Sequence, residues 1–334
     1  MHKITDCVTL VSLFIAGGLT QTRAVGDPKG VVDPMVRMTI LLVEIDNAQR
    51  SAGSAGRPQP VEYKTKVRGR VTRILNDAGH QGLRLGEFEA EIAQYTRSSG
   101  GGYPWIGLDI DAGQQYVIFS DPKPTLAAMV ELPSGYRSGA YPVTDKEDVV
   151  ADVDLILQCA PLTLREQASM VAAAIAGAAK PRSAFLARYG AALLAAGSDS
   201  DAAALVQSIE NGRDSAFSDM AKGELLFEVW SHLRQVDKPP EDLFHVFVTM
   251  TARYLVGAPD HPDPGQPDIR AGMLRNYVPW ILGSERAKTM LRTALAPALA
   301  EQFRKRALQV AADDWFPAED RARLRQLAEF LSTQ

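Results

Sequence analysis

In the stretch EYKTKVRGRVTRIL (Glu62–Leu75), polar and apolar residues alternate strictly. Tyr63, Thr65, Val67, Gly69 and Val71 fall on one face, and Lys64, Lys66, Arg68 and Arg70 on the other. A period of two is the signature of a half-buried strand in an antiparallel sheet. The next alternating stretch, EFEAEIAQYT (Glu87–Thr96), sets Phe88, Ala90 and Ile92 against Glu87, Glu89 and Glu91. One outward stripe is basic and the other acidic. Opposite charges on facing positions help fix register, so the two stretches are predicted to be antiparallel neighbours. That pairing accounts for both charge runs as solvated strand faces, without a charged binding surface.

The same reading extends in both directions. VRMTILLVEI (Val36–Ile45) is rich in β-branched residues, QQYVIFS (Gln114–Ser120) is a fourth strand, and LAAMVEL (Leu126–Leu132) is expected to be a fifth. Gly-, Ser- and Pro-bearing stretches separate them. The fourth strand is preceded by Asp109-x-Asp111-x-Gly113, which resembles the start of a calcium loop. Such a loop needs oxygen ligands at its fifth position and a bidentate Glu at its twelfth, and here those positions are Gly113 and Ser120. The stretch is therefore read as a turn into the strand, with Gly113 supplying a backbone angle that other residues resist.

From Pro161 onward the period becomes helical. Amphipathic segments of helical period follow one another to the C-terminus, bounded by Gly, Pro, Ser or Asp. Thr163 with Glu166 has the form of a capping box, Ser284 caps more loosely, Pro240 precedes a helix start at Glu241, and Pro297 should divide the last long run. The fold class is α+β in two segregated domains: an antiparallel β domain over 35–157, then an all-α domain over 158–334, either solenoid-like or an irregular bundle. Residues 25–34 read as a linker.

The order of signals in the β half is an alternating strand ending in VTRILND, a Gly-bearing turn, LGEFEAEIA, a Gly-rich loop with YPW, and then LDIDAGQQYVIFSD. This order resembles the netrin-like branch of the OB-fold barrels, the branch that includes the tissue inhibitors of metalloproteinases. Gly113, Tyr116 and Phe119 stand where such modules carry a late Gly-x-x-Tyr-x-x-Phe strand. The resemblance spans about 35–156 and implies an OB-like barrel. The chain lacks the paired cysteines and the cysteine at the mature N-terminus found in animal members, so zinc-chelating inhibition is not implied.

The first residues, MHKITDCVTLVSLFIAGGLTQTRA (Met1–Ala24), join a weakly basic start to a short apolar run and small residues. This is the pattern of a secretory signal peptide, and the run is too short to cross a bilayer. The expected product is exported, periplasmic or extracellular, and has no transmembrane segment. Removing Lys3, Arg23 and Asp6 takes a net +1 from the formal charge of −4, leaving −5. A chain of this acidity argues against nucleic-acid binding, which usually shows a basic face. Cys159 would be the only cysteine left. Its setting in LILQCAPLT is that of a core residue, because no His or cationic cluster lies near it in sequence to activate a thiol.

Catalytic signatures are absent: there is no His-Glu-x-x-His, Cys-x-x-Cys, Walker A loop or Gly-x-Ser-x-Gly. Ser120-x-x-Lys123 has the spelling of a nucleophile–base pair, but Pro122 and Pro124 block the helical turn it requires. His232 and His245 fall in amphipathic helices as packing residues. Asp260, His261, Asp263 and Asp268, in APDHPDPGQPD, are the candidate metal ligands, and the same residues also read as a stiff Pro-rich surface loop. Tyr95, Tyr103 and Trp105 surround the Gly-rich loop, and OB-like barrels bind partners through such loops. Trp105 reads equally well as a plug for the barrel end. Trp230, Phe244, Phe247, Tyr277 and Trp280 are spaced as helix core. The expected function is a non-enzymatic binding or assembly module, without cofactor, for a protein partner in the cell envelope. The alternative is an exported metal-dependent hydrolase with its site in a crevice between the two halves.

Overall fold

The computed structural model describes residues 28–50, 62–78, 83–95, 110–120, 140–196, 199–211, 216–235, 241–260 and 269–332. The chain divides into two compact units after Pro161.

The first unit opens with helix α1 (Pro28–Arg37), followed by β1 (Thr39–Arg50), β2 (Glu62–Asn76), β3 (Gly86–Tyr95), β4 (Gln115–Ser120), β5 (Ala140–Pro142) and helix α2 (Val149–Cys159). All strand pairs are antiparallel, and the order is β3-β2-β1-β4-β5. The first four strands thus have the Greek-key order, with β4 returning to lie beside β1. Among the described residues the sheet is open, with β3 and β5 at its edges. The complementary stripes pair as their charges predict: Lys66 faces Glu91, Arg68 faces Glu89 and Arg70 faces Glu87. Arg68 lies 3.7 Å from the Glu87 carboxylate and 3.6 Å from that of Glu89. These groups are well exposed, so the pairs set register more than they add stability. Thr65, Val67, Gly69 and Val71 face inward and are buried.

The β1–β2 ladder slips register between Ile40 and Leu41, between Leu42 and Val43, and between Ile45 and Asn47. Each slip is an extra residue on one strand, and each bends and twists the sheet. The expected turn before β4 is present. Gly113 has φ +79°, and its N–H donates to Ile45 O at 2.7 Å. The stretch Leu126–Leu132, expected as a strand, lies outside the described residues.

Two helices differ from the sequence reading. Residues 25–34 were expected as a linker, but Pro28–Arg37 is helical. Val32 and Met35 are buried there, and that burial outweighs the helix-breaking tendency of Gly30 and Pro34. Asn76, at the end of β2, donates its side-chain amide to the carbonyls of Met35, Val36 and Met38, satisfying the open end of α1. The β pattern expected up to about Ile156 instead ends in α2. Val149, Val153, Ile156 and Cys159 form the buried stripe of that helix, and Asp154 takes a 2.7 Å bond from Arg73 of β2. Cys159 is a buried core thiol outside any disulfide.

The second unit is helical: α3 (Leu164–Ala176), α4 (Ala184–Ala196), α5 (Asp199–Asn211), α6 (Asp219–Gln235) and α7 (Glu241–Gly257). It continues with α8 (Ile269–Gly272), a π turn (Met273–Tyr277), α9 (Val278–Gly283), α10 (Glu285–Ala294), α11 (Pro297–Ala311) and α12 (Ala318–Ser332). The predicted punctuation is present. Thr163 and Glu166 form the reciprocal capping box, Ser284 accepts from the Ala287 N–H, and Pro297 separates α10 from α11. The Thr163 hydrogen bonds hold the Glu166 carboxyl below its ordinary range. Thr163→Ala is expected to cost about 1 kcal/mol of stability, read as a lower urea midpoint with unchanged slope.

Helix α7 decides between the two architectures left open. Leu243, Val246, Phe247, Val248, Met250, Ala252 and Leu255 are buried and spread around most of the helix, leaving a narrower half-exposed side with His245, Thr249 and Arg253. It packs against α5 and α6 and also against the distant α10 and α11. In a solenoid each helix pair touches only its neighbours, so this unit is an irregular bundle around a central helix. The aromatic residues read as core do come together. Phe247 meets Tyr277 at 5.4 Å and Trp280 at 5.6 Å, both edge-on, and Trp230 meets Tyr277 at 5.5 Å. The π turn precedes Pro279, whose missing N–H cannot close the α-helical bond to the carbonyl of Arg275.

Candidate functional site

Helix α4 has the sequence AFLARYGAALLAA, with nearly every residue buried. Its one charged residue is Arg188. A guanidinium in such a helix must find anionic partners or carry a large desolvation cost. The partners come from α6, where Glu224 and Glu228 lie one turn apart on one face and the buried His232 follows one turn later. Arg188 Nη2 is 3.1 Å from Glu228 Oε1, and Nη1 is 3.9 Å from Glu224 Oε1. Two carboxylates thus share a single cation, and the closer contact belongs to Glu228.

Glu224 is the more deeply buried of the two, at 5% exposure. Burial pushes its carboxyl up from 4.5 to about 7. Arg188 pulls it down in part, and the negative charge of Glu228 pushes it further up. A buried carboxyl that titrates near neutrality, beside a second carboxylate and a guanidinium, can hold a proton and release it over a small pH interval. Such perturbed groups concentrate at functional sites. The sequence reading passed over Arg188, Glu224 and Glu228. The available signal was a lone arginine in an otherwise apolar helix, matched by a Glu pair at i, i+4 in a neighbouring one.

Of the predicted site residues, Tyr95 and Asp260 are among those described. Tyr95 is the last residue of β3, in register with Glu62. Tyr103 and Trp105 lie outside the described residues, as do His80, Lys123, His261, Asp263 and Asp268. Asp260 is described, and it is held by arginines. Arg306 of α11 donates to its Oδ1 at 2.7 Å, and the buried Arg270 lies 3.7 Å from the same oxygen. Arg306 also donates to the carbonyls of Leu255 and Ala258, so the group ties the end of α7 to α11. Asp260 therefore has a structural role in the bundle. Among the described residues, no cluster of three or more His, Cys, Asp or Glu is arranged to hold a metal ion, and no helix is long and apolar enough to cross a membrane.

Comparison of the chain with protein-family models, with curated proteins and with solved structures finds no match.

Proposed function

We propose that this protein is an exported, non-enzymatic binding or assembly module whose partner is another protein of the cell envelope. The observation that carries the reading is the β unit itself, a Greek-key sheet in the order β3-β2-β1-β4-β5, bent by three register slips in its central ladder. A five-stranded, partly open Greek-key barrel is the OB architecture, which binds through one sheet face and the adjoining loops. In this reading the β unit is an OB-like, netrin-like barrel whose seam lies between β3 and β5. Tyr95, Tyr103 and Trp105, at and after the end of β3, are the recognition residues, since Tyr and Trp concentrate binding energy at protein interfaces. The apolar leader at 1–24 supports export.

The test is in-cell crosslinking of the tagged full chain, followed by capture and mass spectrometry, with cell fractionation alongside. The expected result is one reproducible envelope protein, lost in the Tyr103→Ser/Trp105→Ser double variant. Recovery of the chain alone would sink the binding reading. Recovery from the cytoplasm with residues 1–24 still attached would sink export.

A further inference from the structure

We propose that the α4–α6 contact is a proton-operated latch, closed when Glu224 is protonated and loosened when it is ionised, because Glu224 and Glu228 compete for the single guanidinium of Arg188. This inference is independent of the binding reading above.

The geometry supplies the mechanism. Arg188 is the only charge α4 brings to the contact. With Glu224 neutral, Arg188 and Glu228 form a balanced pair at 3.1 Å. Loss of the Glu224 proton leaves two carboxylates on one cation and a net negative charge in a buried contact, which low-dielectric surroundings oppose.

The other cations of α6 are engaged elsewhere. On α6 itself, Lys222 lies over the ring of Tyr254 of α7, and Arg234 lies over Trp230. His232 is the next titratable group along the Glu224 face, two turns on. From α7 come Glu241, His245 and Arg253, and from α8 comes Arg270, which is engaged with Asp260, Asp313 and the Phe316 ring. The groups that set the proton affinity of Glu224 are its burial, Arg188 and Glu228.

The direction with pH follows. The folded state holds this proton up to about pH 7, whereas an exposed carboxyl releases it near 4.5. Protonation therefore favours the closed contact at acid pH. That advantage is lost as pH rises from 4.5 through about 7, and nothing further is lost above it.

Hydrogen exchange of the full chain, corrected for the intrinsic pH dependence of amide exchange, tests the latch at pH 5.5 and pH 8. Peptides from α4 and α6 are expected to lose protection by one to two orders of magnitude at the higher pH, roughly what the displacement of the Glu224 proton allows, while peptides from α11 and α12 keep theirs. Glu224→Gln carries no proton to lose and should give equal protection at both values. Glu228→Gln frees Arg188 for Glu224 and should shrink the change. An unchanged wild-type profile, a pH response that persists in both variants, or an equal loss in α11 and α12 would overturn the proposal.

Discussion

Gly69→Ala is expected to disrupt the β unit. A Cβ at position 69 would stand 2.1 Å from the carbonyl oxygen of Glu44 and 3.0 Å from both the carbonyl carbon of Glu44 and Ile45 Cα. All three are backbone atoms of β1, so no side chain can swing aside. β1 is the central strand and is bonded to β2 on one side and β4 on the other. It cannot retreat without opening one ladder. The cause of the close approach is visible in the register, where Asp46 is the extra residue between Ile45, opposite Gly69, and Asn47, opposite Arg68. The expected loss is about 3 kcal/mol, the upper end of the usual overpacking range, read as a collapse of the β signal in chemical unfolding. Gly113→Ala is the matched control. Its φ is +79° but it has open space around it, so only backbone strain applies, about 1–2 kcal/mol. Equal, small losses at both positions would show that the β1–β2 approach is looser than the geometry indicates.

Arg188→Ala should be as damaging to the helical unit. Removing one partner of a buried ion pair strands the other charge, at a cost of about 3–5 kcal/mol. Here two carboxylates are stranded, one of them at 5% exposure. The loss should be largest near pH 8 and smaller near pH 5, because without Arg188 the Glu224 carboxyl binds its proton more tightly and can be buried neutral. Arg188→Leu/Glu224→Leu/Glu228→Leu replaces the whole group by apolar side chains and should recover most of the stability, since a well-packed apolar cluster can equal a buried ion pair. Urea titrations of the single and triple variants at the two pH values check this. A near-neutral Arg188→Ala at pH 8 would mean that the guanidinium does not hold the two glutamates.

Local features proved legible in the sequence because local geometry produces them. Alternation placed Thr65, Val67 and Val71 inward because successive strand side chains point to opposite faces. The opposed stripes of β2 and β3 gave their own register through charge. Thr163, Ser284, Pro297 and Gly113 act within a few residues of themselves, so their caps, breaks and turns could be read where they stand.

Features that depend on distant residues were not legible. The helix over Pro28–Arg37 was missed, its first part falling in the expected linker 25–34, because burial of Val32 and Met35 supports it against the local preferences of Gly30 and Pro34. Asp260 was weighed both as a candidate metal ligand and as part of a Pro-rich surface loop, and the convergence of Arg270 and Arg306 on it involves partners too far along the chain to be read there. Arg188 drew no attention because its partners lie on another helix.

By itself, then, the sequence determined the division into a β half and an α half, the alternating faces and the caps, since each follows from the period or chemistry of neighbouring residues. Only the tertiary structure decided the Greek-key order of the sheet, the bundle around α7 and the sharing of Arg188 by two glutamates, because each depends on which buried surfaces meet after the chain has closed on itself.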